Sequence, residues 1–160
     1  MNTKNYYTNI IISEFLMKLN LKNIMEVPKI EKIVLNIGYP RIAQDKKQIL
    51  SGLLALELVS GQQAYATQST KQIHSLKIRK KMYVGCAVTL RSTNMYFFLD
   101  KFVTLVFSNF RNFSGFPISY DTYNRYVTFK IKDLYVFPEL EKEYHLFQKI
   151  DSIDITIVFE

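Results

Sequence analysis

With 160 residues, 48% of them hydrophobic and 14% aromatic, the chain has enough apolar surface to bury one domain's core, which excludes global disorder. A formal charge of +7 has two even readings: attraction to polyanions, either nucleic acid or an anionic membrane surface, or a charge that only keeps the protein soluble. The single cysteine, Cys86, excludes an internal disulfide and fits a reducing compartment.

In chain order, Ile11 to Ile24 reads as an amphipathic helix capped by Ser13, with Phe15, Leu16 and Leu19 at helical spacing. Pro28 stops it and forces Val27 to extend. Ile30 to Ile37 then alternates as a strand. Ile33, Leu35 and Ile37 share the core face, while Lys32, Val34 and Asn36 lie on the opposite, solvent or ligand face. Asp45 to Val59 predicts a second helix, with Ile49, Leu53 and Leu56 on one side and Gly61 as its C-terminal break.

Gln62 to Thr70 and Val84 to Arg91 read as two strands joined by a polar, basic connection, Lys71 to Tyr83. A connection of that length in one domain usually carries function. Asn94 to Phe110 predicts a helix built on Tyr96, Leu99, Val103, Val106 and Phe110, and Tyr126 to Ile131 and Ile153 to Phe159 alternate as strands. The mixture lacks a strict βαβα rhythm. It implies an α+β class, mostly antiparallel sheet with helices on one face and a long basic loop between two central strands.

Catalytic and metal chemistry find no support. Cys86 lies in the apolar run Val84 to Val88, the place of a buried small hydrophobe, and neither His74 nor His145 has a Cys, Asp or Glu at ligand spacing. There is no Gly-rich phosphate loop and no nucleophile elbow. Glu139, Glu141 and Glu143 have no supporting base and read as a solvated face. No cofactor is implied. The most apolar window, Tyr96 to Phe110, is too short for a membrane span and carries Asp100 and Lys101.

Charge is segregated. From Leu58 to Leu99 there is no acid, yet there are six cations: Lys71, Lys77, Arg79, Lys80, Lys81 and Arg91. From Asp133 to Glu160 seven acids face two lysines, a net of −5. A solvated face normally mixes both signs, so the acid-free stretch favours phosphate contact, in which each neutralised phosphate releases counterions. Gln62, Gln63, Thr67 and Thr89 add groups that can bond phosphate, ribose or base edges, although ordinary strand polarity accounts for each alone. Tyr65 and Tyr83 could stack on bases, but packing is the commoner use.

Met25 to Gly38, reading Met-Glu-Val-Pro-Lys-Ile-Glu-Lys-Ile-Val-Leu-Asn-Ile-Gly, strongly resembles the opening motif of the ribosomal protein L five family. Ser60-Gly61-Gln62, Lys77-Ile78-Arg79, Gly85 to Arg91, Met95 to Asp100, Phe137-Pro138-Glu139 and Asp154 to Ile157 follow in the family's order. The resemblance spans roughly residues 14 to 158. It implies a non-enzymatic component of the large ribosomal subunit with an α+β fold, one domain over residues 1–160. Its expected partners are large-subunit rRNA, 5S rRNA, peptidyl-site tRNA, a ribosomal protein of the small-subunit head and other central-protuberance proteins, with no membrane. Asn36, Gln62, Thr89 and Arg91 match positions that look like 5S rRNA contacts, with Gln63 and Thr67 beside them. Lys71, Lys77, Arg79, Lys80 and Lys81 lie in what looks like the tRNA-facing loop.

Three departures stand out. Past Asp154 to Ile157 the family's usual C-terminal helix is expected to be lacking. The Gly-rich turn expected after a Phe-Asp pair is Tyr120 to Tyr126 without glycine, and Tyr39-Pro40 replaces a glycine-containing segment. Richness in Ile, Asn, Lys, Phe and Tyr, with the first helix already matching the family, suggests an organelle-made protein. A mitochondrion is favoured over a plastid, with a bacterial cytoplasm as the alternative. A free RNA-binding or chaperone-like module is the second reading. A small enzyme with an acidic tail is the third.

Overall fold

The computed structural model describes residues 3–38, 46–106, 119–121 and 125–160. Six strands form one antiparallel sheet: β1 (Ile30–Gly38), β2 (Tyr65–Gln68), β3 (Tyr83–Leu90), β4 (Ser119–Asp121), β5 (Tyr126–Ile131) and β6 (Ile153–Phe159), ordered β2-β3-β1-β6-β5-β4. The pairing of β1 with β6 brings residues 30–36 against residues 154–159 in the middle of the sheet.

The period-two pattern decides which face is covered. Ile33, Leu35 and Ile37 of β1, Cys86, Val88 and Leu90 of β3, and Ile153 and Ile155 of β6 are all buried. They meet α3 (Lys46–Ser60) through Leu56 and Val59, and α4 (Ser92–Lys101) through Met95 and Phe98. Phe137, Leu140 and Phe147 close the same layer, from the short helices α5 (Pro138–Glu141) and α6 (Tyr144–Phe147) and the turn before them. Burying each such side chain stabilises the fold by about 1.5–3 kcal/mol. Helices therefore cover one face, as the sequence implied.

The first helix differs from its expected bounds. It comprises α1 (Thr3–Tyr6), a π-helical turn (Tyr7–Ile11) and α2 (Ile12–Leu19), and it ends at Asn20 in the left-handed conformation, φ 50°. Ser13 is not a cap but an interior residue, whose hydroxyl donates back to the carbonyls of Asn9 and Ile10. Leu21 to Ile24 lies beyond the helix, because Asn20 tolerates the left-handed turn that leucine resists. Tyr7 anchors the assembly: its hydroxyl donates to the Pro28 carbonyl at 2.7 Å, its ring lies 6.4 Å from Tyr96, and Thr3 bonds the Asp100 carboxylate.

Other boundaries move by a few residues. α3 ends at Gly61, φ 67°, whose N–H donates to the Glu57 carbonyl at 2.8 Å, the C-terminal break expected there. Asp45, its predicted cap, lies outside the described residues. β2 is shorter than predicted because Ala64 turns its N–H to Glu57 and Ser69 already belongs to the loop closure. α4 passes into a π-helical turn, Phe102–Val106, and residues 107–110 of that prediction lie outside the described residues. β4, α5 and α6 carry too few residues to show a period. No helix of the described residues is long and apolar enough to cross a membrane.

Candidate nucleic-acid interface

Among the described residues no helix lies over the other face of the sheet, and cross-strand register sets its residues in rows. One row runs Tyr65, Ala87, Asn36, Asp154, Lys130, and the next runs Thr89, Val34, Thr156, Thr128. Asn36 and Thr89 are thus diagonal neighbours on adjacent strands. Thr67 lies opposite Gly85, one row further along. At the centre of the face Gly85 and Ala87 carry almost no side chain and are buried among their neighbours, while Asn36, Thr67 and Thr89 around them are part-exposed.

Gly85 is fixed by packing as well. A β-carbon there would stand 2.5 Å from the Ile37 carbonyl oxygen and 3.1 Å from Thr67 Oγ1. Asp154 on this face stands 3.3 Å from Lys130 Nζ. Thr128 and Thr156 share a hydroxyl hydrogen bond of 2.9 Å.

Gln62, Thr89 and Arg91 converge at the end of β3. Gln62 Nε2 donates to the Thr89 carbonyl at 3.1 Å, and Asn94 Nδ2 donates to Gln62 Oε1 at 3.3 Å. The Gln62 amide is therefore held in one orientation. Arg91 Nη1 donates to Glu31 Oε1 at 2.8 Å, and this bond, with Lys32 nearby, holds the Glu31 carboxyl below its usual range. Gln63 stays exposed and lines a shallow cleft with Glu57 and Gly61.

The connection between β2 and β3 folds into a small hairpin. Ile73 and Ile78 exchange two backbone hydrogen bonds of 3.0 Å, and Ile78 is buried. Lys77 and Lys81 both take left-handed backbone, φ 55° and 66°. Their N–H groups donate to His74 and Ser69 carbonyls respectively, which holds turns that a bare lysine disfavours. Lys71, Lys77, Arg79, Lys80 and Lys81 are all exposed, and among the described residues none has an acid within salt-bridge distance. A cleft of about 510 Å³ opens between His74, Lys77, Arg79 and Met82.

Sequence reasoning missed Asn94, which orients Gln62, and the sharing of one face by Asn36, Asp154 and Lys130. Alternation within each strand was visible, but only register shows which strands lie side by side. Tyr65 stands exposed on the bare face, while Tyr83 turns instead toward α3, beside Ile49 and Leu50. Cys86 is a core residue: its thiol donates to the Ile49 carbonyl, and burial pushes it up to about 11. Among the described residues no three His, Cys, Asp or Glu side chains gather as a metal site.

The family model described as "Ribosomal protein L5" matches residues 23–79, and a second model, for the C-terminal part of the same ribosomal family, matches residues 83–160. The chain belongs to the ribosomal protein L5 family. The large ribosomal subunit protein uL5m of Reclinomonas americana is 45% identical over 155 residues, covering 97% of this chain and 85% of that protein. The uL5 proteins of Wigglesworthia glossinidia brevipalpis and Prochlorococcus marinus (strain NATL2A) are 39% and 40% identical, each with 87% of their length covered by 98% and 99% of this chain. As an L5 protein, the chain is a structural constituent of the large ribosomal subunit, not an enzyme, and its partners are rRNA and other ribosomal components. In the glycine-free stretch from Tyr120 to Tyr126, residues 122–124 lie outside the described residues, and Arg125 takes the left-handed conformation, φ 50°, its carbonyl accepting from the Phe159 N–H at 2.9 Å.

Proposed function

We propose that this L5 protein works as one domain in the central protuberance of a mitochondrial large subunit. Its bare sheet face docks rRNA, 5S rRNA where the ribosome has it, through Asn36, Gln62, Gln63, Thr67, Thr89 and Arg91. The hairpin carrying Lys71, Lys77, Arg79, Lys80 and Lys81 reaches the peptidyl-site tRNA, and the domain bridges to a protein of the small-subunit head. The observation that carries this reading is the separation of two surfaces. One is a sheet face lined by glycine and alanine, with the fixed Gln62 amide at its end, suited to shape and ribose contacts. The other is an acid-free hairpin with five exposed cations, suited to phosphate. The 45% identity to a uL5m supports the organelle.

The test uses purified large subunits carrying Lys77→Ala, Arg79→Ala, Lys80→Ala and Lys81→Ala together. Four lost phosphate contacts should lower the salt slope of tRNA engagement by roughly 3 at about 0.7–0.9 per contact. Incorporation into subunits, followed by sedimentation, should stay at the wild-type level. Equal loss of both would sink the division between surfaces. Free sedimentation of the wild-type protein in organelle lysate would remove the ribosomal placement itself.

A further inference from the structure

We infer that the outer edge of β2, with the groove between β2 and α3, receives an extended segment of a second protein as a seventh strand. The segment has apolar side chains at alternate positions and an acidic end beside Lys71 and Lys81.

The edge comes first. Among the described residues β2 ends the sheet and pairs only with β3. Ser69 turns both backbone groups inward, its N–H to the Met82 carbonyl and its carbonyl to the Lys81 N–H. Alternation from Ser69 points the N–H and carbonyl groups of Gln68 and Ala66 outward. Among the described residues nothing pairs with them there. Ala64, the next outward residue, is already satisfied by the Glu57 carboxylate at 3.3 Å. The open donors and acceptors are thus confined to Ala66 and Gln68. The strand Tyr-Ala-Thr-Gln has no charge or proline to blunt that edge.

The groove comes second. Beside the edge, Ile49, Leu50, Leu53, Ala66 and Tyr83 line a mostly apolar groove of about 380 Å³. Leu50, Leu54 and Leu58 continue it along α3 at every fourth residue and are 68%, 40% and 41% exposed. Leucines that face water at helical spacing mark a docking surface rather than scattered exposure. An edge that offers a backbone ladder beside a groove that takes alternate side chains is the geometry of strand addition.

The charge comes third. Glu57 closes the Ala64 end, and Lys71 and Lys81 stand at the Ser69 end, inside the acid-free stretch from Leu58 to Leu99. That polarity fits a guest whose acidic residues lie near Ser69. A ribose-phosphate strand would match the lysines but would leave the leucine stripe unused. This surface lies on the helix side of β2 and is separate from the proposed rRNA face.

The experiment places a photoreactive residue, Gln68→p-benzoylphenylalanine, in large subunits, irradiates them and maps the cross-link by mass spectrometry. The expected product joins position 68 to an apolar, acid-ended segment of another ribosomal protein. Ala66→Pro removes one outward N–H without touching the β3 ladder, the placement proline tolerates at an edge. It should cut the cross-link on the order of tenfold, about 1.4 kcal/mol, while rRNA binding and subunit incorporation persist. Leu54→Glu, an exposed substitution that leaves the core intact, should do the same if Ala66→Pro fails to incorporate. A cross-link to rRNA, to this chain or to a second copy of it would overturn the inference. So would the absence of a product, or a yield unchanged by both variants. Loss of rRNA binding in all forms would instead count against the sheet-face reading.

Discussion

Arg91 shows how a single side chain can hold two positions. It leaves β3 in extended backbone, so it emerges on the side of Thr89, yet its guanidinium is held by Glu31 from the start of β1. An exposed ion pair of this kind contributes little to stability because water and salt screen it. Its effect is to occupy a cation that phosphate would otherwise take. Glu31→Gln should therefore leave unfolding almost unchanged while steepening the salt dependence of rRNA binding by about one phosphate contact, a slope change of roughly 0.7–0.9. An unchanged slope would mean that Glu31 does not withhold Arg91 from phosphate. The pH dependence follows the same bond. The Arg91 hydrogen bond lowers the Glu31 titration, so the pair's contribution is present above the ordinary glutamate range and is lost as pH falls through the lowered one. Asn36 and Thr89 could be placed on a non-core face from alternation alone. The Arg91 to Glu31 pair could not, because its partners are 60 residues apart and meet only through strand register.

At the scale of an element, β3 carries the most constraint. It pairs with β1 on one side and β2 on the other, packs one face against α3 and turns Gly85, Ala87 and Thr89 to the opposite face. At Gly85 the neighbouring strand comes so near that a methyl group meets the Ile37 carbonyl oxygen at 2.5 Å, and backbone does not yield as a flexible side chain does. Gly85→Ala should cost about 1–3 kcal/mol, read from the urea midpoint. It should also weaken rRNA binding beyond that loss, because Thr67 must move. Stability within error of wild type would show that β1 and β3 can part at no cost. The helices illustrate where sequence reading stops. Periodicity found α3 and α4, whose buried stripes are long. It placed the first helix too far along the chain, because Tyr7 and the π-helical turn tie its N-terminal half to Pro28 and Tyr96, contacts that leave no period in the sequence.

At the scale of the molecule, the fold turns a sequence-level charge gradient into an orientation. The exposed cations between Lys71 and Lys81 project from the β2–β3 end, whereas Glu139, Glu141 and Glu143 belong to the helical layer around α5. A polyanion approaching from solution is drawn to one end and repelled from the layer behind the sheet. The segregation was legible in the sequence; its direction was not, because direction depends on which face α5 covers. Placement, not total charge, should then govern association. Lys80→Glu with Lys81→Glu, and Lys142→Glu with Lys149→Glu, each change the net charge by −4, from +7 to +3. All four side chains are exposed, so neither pair disturbs the core. In stopped-flow mixing with an rRNA fragment at low salt, the first pair should slow association by at least about tenfold, the lower end of what electrostatic steering supplies. The second pair should slow it far less, and the two should converge as salt shortens the Debye length to about 3 Å at 1 M. Equal slowing by both pairs would mean that the molecule attracts RNA by its overall charge, and that the orientation built by the fold plays no part in the encounter.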